Sequence, residues 1–222
     1  MLLAEERQAV VDGGNAMVRA GLTTGTGGNV SQICRQRGLI AISPSGRDYA
    51  VMRPEDVALV NLDDGLTVEG GYKPSSELGF HLALYRQRPE VGAVVHTHSV
   101  YATTLACLGW ELPAVHYLVG FAGRKVPVAP YATFGTDELA ASVAATLGRQ
   151  FNAVLLANHG LVTVGGDMPA ALNTAEEVEF VARIYFQTKC VGQPVLLSDR
   201  EMDIVIEKFK TYGQPQTDAD GE

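Results

Sequence analysis

The apolar, β-branched run Val91-Gly92-Ala93-Val94-Val95 ends in His96-Thr97-His98. It follows Arg88-Pro89-Glu90, a break after a helical pattern, so a strand is predicted with both histidines at its carboxyl end. The two-residue period of a strand turns the two imidazoles to one face. Ligand sites of α/β sheets gather at such ends, and two neighbouring imidazoles are half of a metal site. The competing reading is a pair of partly solvated side chains bonded to their neighbours.

A borderline divalent metal such as zinc draws further ligands from His, Cys, Asp or Glu. Cys34, Cys107 and Cys190 are scattered without C-x-x-C spacing and read as small apolar fillers. His159 sits in Asn158-His159-Gly160, between Ala153-Val154-Leu155-Leu156-Ala157 and Leu161-Val162-Thr163-Val164, which predict two strands joined by a tight turn. There it is open to ligation, or it caps a hairpin. The acidic candidate is Glu77, placed by Lys73-Pro74-Ser75-Ser76 in the first turn of a helix. Glu77 there could simply face the helix dipole, or bind metal alone, or share a face with His81 four residues on. Glu77 alone is preferred, because His81 falls among Leu78, Leu82 and Tyr85 and reads as a hydrogen-bonded, partly buried residue.

Three segments are suited to an anion. Thr24-Gly25-Thr26-Gly27-Gly28-Asn29-Val30-Ser31 can form a nest of N–H groups and hydroxyls. It has neither the lysine of a P-loop nor G-x-G-x-x-G spacing, so a nucleoside triphosphate and a dinucleotide are both disfavoured. Ser43-Pro44-Ser45-Gly46 follows the strand-like Leu39-Ile40-Ala41-Ile42, and Ser75-Ser76 stands at a helix N-terminus. Each alone is an ordinary turn or cap; beside a metal candidate they suggest a small phosphorylated substrate.

Eight motifs stand in the order seen in the class II aldolase/epimerase family: Gly28-Asn29-Val30-Ser31, Ser43-Pro44-Ser45-Gly46, Pro74-Ser75-Ser76-Glu77, His96-Thr97-His98, His116-Tyr117, Tyr131 to Thr136, Asn158-His159-Gly160-Leu161 and Glu207 to Gly213. The chain resembles that family from its first helix almost to its C-terminus. The resemblance implies Zn2+ held by His96, His98 and His159, with Glu77 as fourth ligand in the empty enzyme and as acid/base once substrate displaces it. It implies phosphate binding by Asn29, Ser45, Gly46, Ser75 and Ser76, and a pocket residue in Phe134. It also implies that a neighbouring subunit of a homotetramer supplies Tyr117 as proton donor, with Tyr212 a second catalytic tyrosine. The implied activity is retro-aldol cleavage of a ketose 1-phosphate, L-fuculose 1-phosphate foremost, to dihydroxyacetone phosphate and an aldehyde such as L-lactaldehyde. Other 5-deoxy or methylthio ketose 1-phosphates, and a dehydratase, decarboxylase or epimerase, are the alternatives within the family. The epimerases resemble it but carry Asp where this chain has Glu77. A non-enzyme alternative is an adducin-like binding module, which does not keep the metal ligands.

The chain has 222 residues, 46% of them hydrophobic and 19% charged, enough for one sizeable core. The expected organisation is a single domain over 1–213 and a polar, disordered tail over 214–222. The net charge of −8 argues against a nucleic-acid surface, and no apolar run approaches the ~20 residues of a membrane span. The acidic start, without a leader pattern, and the scattered cysteines make a cytoplasmic address the expectation. Predicted helices cover 3–20, with Ala9, Met17 and Ala20 buried, then 76–86, 101–108, 137–147, 169–191 and 199–210. Glu176, Glu177 and Glu179 are expected on a solvated side. The expected fold is α/β, a three-layer α/β/α domain around a mainly antiparallel sheet, its strand order implied by the family.

Overall fold

The computed structural model describes residues 1–211. Its centre is an eight-stranded sheet of β1 (Asn29–Cys34), β2 (Leu39–Ile42), β3 (Ala58–Asn61), β4 (Thr67–Glu69), β5 (Ala93–Thr97), β6 (Val128–Ala129), β7 (Ala153–Leu156) and β8 (Gly160–Gly165). Their order is β4-β3-β2-β1-β5-β8-β7-β6. All pairs are antiparallel except β6 with β7. The expected architecture is therefore the observed one.

The strand period divides the core. On β2, Leu39 and Ala41 face one layer while Ile40 and Ile42 face the other; on β7, Ala153 and Leu155 oppose Val154 and Leu156 in the same way. The first layer is covered by α1 (Ala4–Arg19), α3 (Val100–Leu108), α5 (Met168–Val191) and α6 (Asp199–Phe209), through Val10, Met17, Leu105, Val178 and Met202. The second is covered by α2 (Leu78–Gln87) and α4 (Asp137–Leu147), through Phe80, Leu84, Tyr85, Leu139 and Val143. Both faces of β2, β5 and β7 are thus buried, which is why these strands read as apolar runs, whereas the edge strand β4 is exposed.

Four details correct the sequence reading. Ala20 is exposed as the C-cap residue just beyond α1, and Gly21 with φ 70° turns the chain after it. Cys107 and Cys190 are exposed and Cys34 is half-buried, so these thiols are not core fillers. Glu77 precedes α2 as its N-cap residue and makes no side-chain capping bond. Glu179 is not simply solvated: its two carboxylate oxygens accept the backbone N–H groups of Tyr101 and Ala102, each at 2.8 Å. It thereby satisfies open donors at the start of α3, where Ser99 supplies no side-chain cap.

Candidate metal centre and substrate cavity

The centre is assembled where β1, β5 and the β7–β8 turn meet the start of α2. The β1–β5 register sets Asn29 opposite His96. His96 is the fourth residue of β5 and fully buried, and its ring lies edge-on to Phe80 of α2. His98 lies one residue beyond the strand. The β7–β8 turn, with Asn158 at φ 55°, brings in His159. A Cβ on Gly160 would overlap the Thr97 carbonyl oxygen and press on the His96 and His98 rings, so only glycine lets the turn come this close.

The ligand-capable ring nitrogens of His96, His98 and His159 lie within 4.8 Å of one another. His96 Nδ1 is 2.9 Å from the Leu161 carbonyl oxygen. A carbonyl only accepts, so Nδ1 carries a proton there and Nε2 is the nitrogen turned to the cluster. That Nε2 stands 3.0 Å from His98 Nε2 and 3.2 Å from Glu77 Oε2, and His159 Nε2 is 3.4 Å from Glu77 Oε1. Glu77 Oε1 is buried and makes no hydrogen bond among the described residues. Converging lone pairs and an unbonded carboxylate oxygen are the donor set of a divalent cation, and the residues present fit one.

The electrostatics favour ligand-ready protonation states. Burial, reinforced by the charge of His96 and His159, pulls His98 down to about 4. Burial, then the charge of His96, also lowers His159. Burial would raise the Glu77 carboxyl, but hydrogen bonding and charge from His96, the charge of His159 and a bond from Asn29 outweigh it and bring it to about 2.

Glu77, His98 and His159 line a cavity of about 350 Å³ together with Asn29, Ser45, Gly46, Ser75, Ser76 and Phe134. Every sequence-nominated phosphate position thus lines the same hollow as the metal cluster. Its two serine loops are tied side by side: Ser75 N–H donates to the Ser43 carbonyl at 3.1 Å and Ser45 N–H to the Lys73 carbonyl at 3.0 Å. Ser45, Gly46 and Ser76 are exposed at the cavity, while Ser75 Oγ accepts the Glu77 N–H at 3.2 Å.

Tyr117 does not line this cavity. It lies on a 3-10 turn, Tyr117–Phe121, 48% exposed, with its ring against His116. Tyr212 and the tail 214–222 lie outside the described residues. Sequence reasoning passed over Tyr131, 61% exposed on the cavity rim, although it is part of the segment that supplies Phe134. It placed Ser31 in the glycine-rich segment and read His81 as a hydrogen-bonded, partly buried residue, but did not join the two with Tyr85 in the buried polar group behind Asn29.

A cluster of three histidines and a glutamate able to hold a metal, at strand ends and opening on a cavity lined by serines, glycines and an asparagine in an antiparallel α/β/α domain, is the site of a metal-dependent enzyme. Residues 8–186 match the family model described as Class II Aldolase and Adducin N-terminal domain. The chain is 54% identical over 215 residues to a 5-deoxy-D-ribulose 1-phosphate aldolase of Bacillus thuringiensis serovar kurstaki, covering 96% of this chain and all of that one. It is 42% identical to the L-fuculose phosphate aldolase of Escherichia coli K12, covering 92% and 94% of the two chains. A solved L-fuculose 1-phosphate aldolase superposes with a TM-score of 0.91 at 43% identity, covering 95% of this chain and 98% of that one. The chain belongs to the class II aldolase family, and it is an aldehyde-lyase of that family.

Proposed function

We propose that this enzyme cleaves a 5-deoxy ketose 1-phosphate, 5-deoxyribulose 1-phosphate in first place, to dihydroxyacetone phosphate and a short aldehyde. The observation that carries the aldolase reading is the shared cavity, in which Glu77, His98 and His159 face the phosphate-type residues Asn29, Ser45, Gly46, Ser75 and Ser76. The 54% identical relative favours the 5-deoxypentulose substrate. L-Fuculose 1-phosphate, first in the sequence expectation, becomes the second reading, favoured by the relatives at 42% and 43% identity.

His96, His98 and His159, with Glu77 beside them, would hold Zn2+. The bound metal supplies Lewis-acid stabilisation of the enediolate charge, in place of a lysine Schiff base. Ser45, Gly46, Ser75, Ser76 and Asn29 hold the phosphate through hydroxyls and N–H groups. On cleavage the C4 hydroxyl loses its proton and the C3–C4 bonding pair becomes the enediolate. Glu77 handles the carbon-bound proton, and Tyr117 the proton on the oxygen that becomes the aldehyde. Because Tyr117 stands off its own cavity, a neighbouring copy in a homotetramer supplies it. Phe134 packs against the aldehyde end. The three cysteines, none in a disulfide, accord with a cytoplasmic address.

Coupled detection of dihydroxyacetone phosphate from 5-deoxyribulose 1-phosphate and L-fuculose 1-phosphate, with E77Q as control, tests this. Zinc-dependent release that E77Q abolishes is expected, with the higher kcat/KM on the 5-deoxypentulose. No release from either sugar by zinc-loaded protein would overturn it in favour of the epimerase, dehydratase or decarboxylase branches.

A further inference from the structure

Behind Glu77 runs an unbroken series of buried hydrogen bonds that the aldolase reading does not use. Tyr85 Oη is 2.8 Å from Ser31 Oγ and 3.0 Å from the Ser31 carbonyl; Ser31 Oγ is 2.6 Å from His81 Nδ1. His81 Nε2 is 2.6 Å from Asn29 Oδ1, and Asn29 Nδ2 is 2.9 Å from Glu77 Oε2. Ser31, His81 and Tyr85 are wholly buried, so water does not complete these bonds from outside.

The direction of the series follows from the donor inventory. An ionised carboxylate only accepts, so the Asn29 amide presents its NH2 to Glu77 and its carbonyl to His81. That carbonyl also only accepts, so His81 must carry its proton on Nε2. Burial, with the charge of His96, pulls His81 down to about 3, which leaves its Nδ1 bare to accept from Ser31. From Ser31 onward every hydrogen therefore points towards Glu77, while the Tyr85 hydroxyl donates to the Ser31 carbonyl. Oε2 is held by Asn29, whereas Oε1 makes no hydrogen bond and borders the cavity-lining His159.

We infer that His81 is a positioning residue: through Asn29 it fixes Glu77 Oε2 as a standing acceptor, so that the proton exchanged with substrate is carried on Oε1. This inference rests on the aldolase reading. In the exchange step Oε1 takes a proton from the hydroxymethyl carbon of dihydroxyacetone phosphate, and the C–H pair becomes the enediolate double bond. Return of the proton to that carbon restores the carboxylate. Oε1 thus carries the proton while Oε2 keeps its bond from Asn29.

Two measurements test it. In metal-free protein labelled with 15N-histidine, the long-range 1H–15N pattern that H81Q removes is expected to be that of an Nε2–H neutral imidazole. An Nδ1–H or imidazolium pattern would overturn the assigned direction. In zinc-loaded protein, solvent deuterium exchange into dihydroxyacetone phosphate without aldehyde reads the Glu77 step alone. H81L, which frees Asn29 from its hold on the charged Glu77 carboxylate, is expected to lose roughly 10- to 100-fold in the exchange kcat, the range for losing that bond, with KM changed little. H81Q, whose amide can donate to Asn29 and accept from Ser31, is expected to recover most of it. If H81L does not fold, S31A takes its place, with a smaller expected loss. Wild-type exchange with H81L unaffected, or H81Q no better than H81L, overturns the inference and leaves the aldolase reading standing. Failure of the zinc-loaded wild type to exchange or cleave overturns that reading instead.

Discussion

Gly28 lies directly against the His96 backbone: with φ 69°, a Cβ added to it would overlap the His96 carbonyl oxygen. The glycine-rich loop and the histidine-bearing strand therefore share a contact that only glycine allows. G28A must move the loop or the end of β5. A stability loss of about 1–3 kcal/mol is expected from the left-handed backbone and the overlap together. Zinc per chain, measured after dialysis, is expected to fall as well; full zinc retention with wild-type stability would show that the contact relaxes freely.

Removing the metal is expected to abolish release of dihydroxyacetone phosphate, and adding zinc to restore it. Free zinc at 100 times its Kd stabilises the folded chain by ~2.7 kcal/mol, which for a chain of this size corresponds to roughly 5–10 °C in Tm. H98A removes one of the three converging imidazoles and should lose most of that shift. Calorimetry with and without zinc checks both. An equal zinc-induced shift in H98A would move the metal away from this cluster.

Much of this centre was legible in the sequence. The strand period marked His96 and His98, the Asn158-His159-Gly160 turn marked His159, and Pro74-Ser75-Ser76 marked Glu77, because each signal is local. What escaped depends on partners far apart in the chain. Asn29 could be nominated for phosphate but not as the amide that holds Glu77, since that follows from the pairing of β1 with β5. His81 was read as a hydrogen-bonded residue among apolar neighbours, but its partners Ser31 and Asn29 lie about 50 residues away. Glu179 looked solvated on α5 because the N–H groups it caps belong to α3, nearly 80 residues earlier. At two residues, β6 is too short to show a period.

Glu179 offers a stability test separate from the chemistry. It accepts two N–H groups at the start of α3, combining the effects of a cap and of a negative charge at a helix N-terminus. E179A is expected to cost about 1–2 kcal/mol, read as a lower urea midpoint with an unchanged m-value. E179Q keeps acceptor capacity but loses the charge, and should fall between the two. Zinc content should be the same in all three proteins, because Glu179 does not line the cavity that His98 and His159 line.

The buried His81 gives apoprotein stability a defined pH dependence. Its folded value is pulled to about 3, chiefly by burial, from an ordinary value of 6.5. Between those limits the unfolded chain binds a proton that the folded chain does not. Stability therefore rises with pH across this window, is complete above about 6.5 and is lost progressively as pH falls towards 3. From about pH 7.5 to 5.5 the loss is about 1.4 kcal/mol for this one site. His98 and His159, also lowered, and Glu77, lowered to about 2, act with the same sign, so the contrast with H81Q isolates the His81 share. Urea unfolding of the metal-free proteins at the two pH values is expected to show a larger drop for wild type than for H81Q. Equal drops would mean that His81 takes up its proton in the folded state, which Ser31 Oγ, the donor to Nδ1, could tolerate only by turning its hydroxyl towards Tyr85.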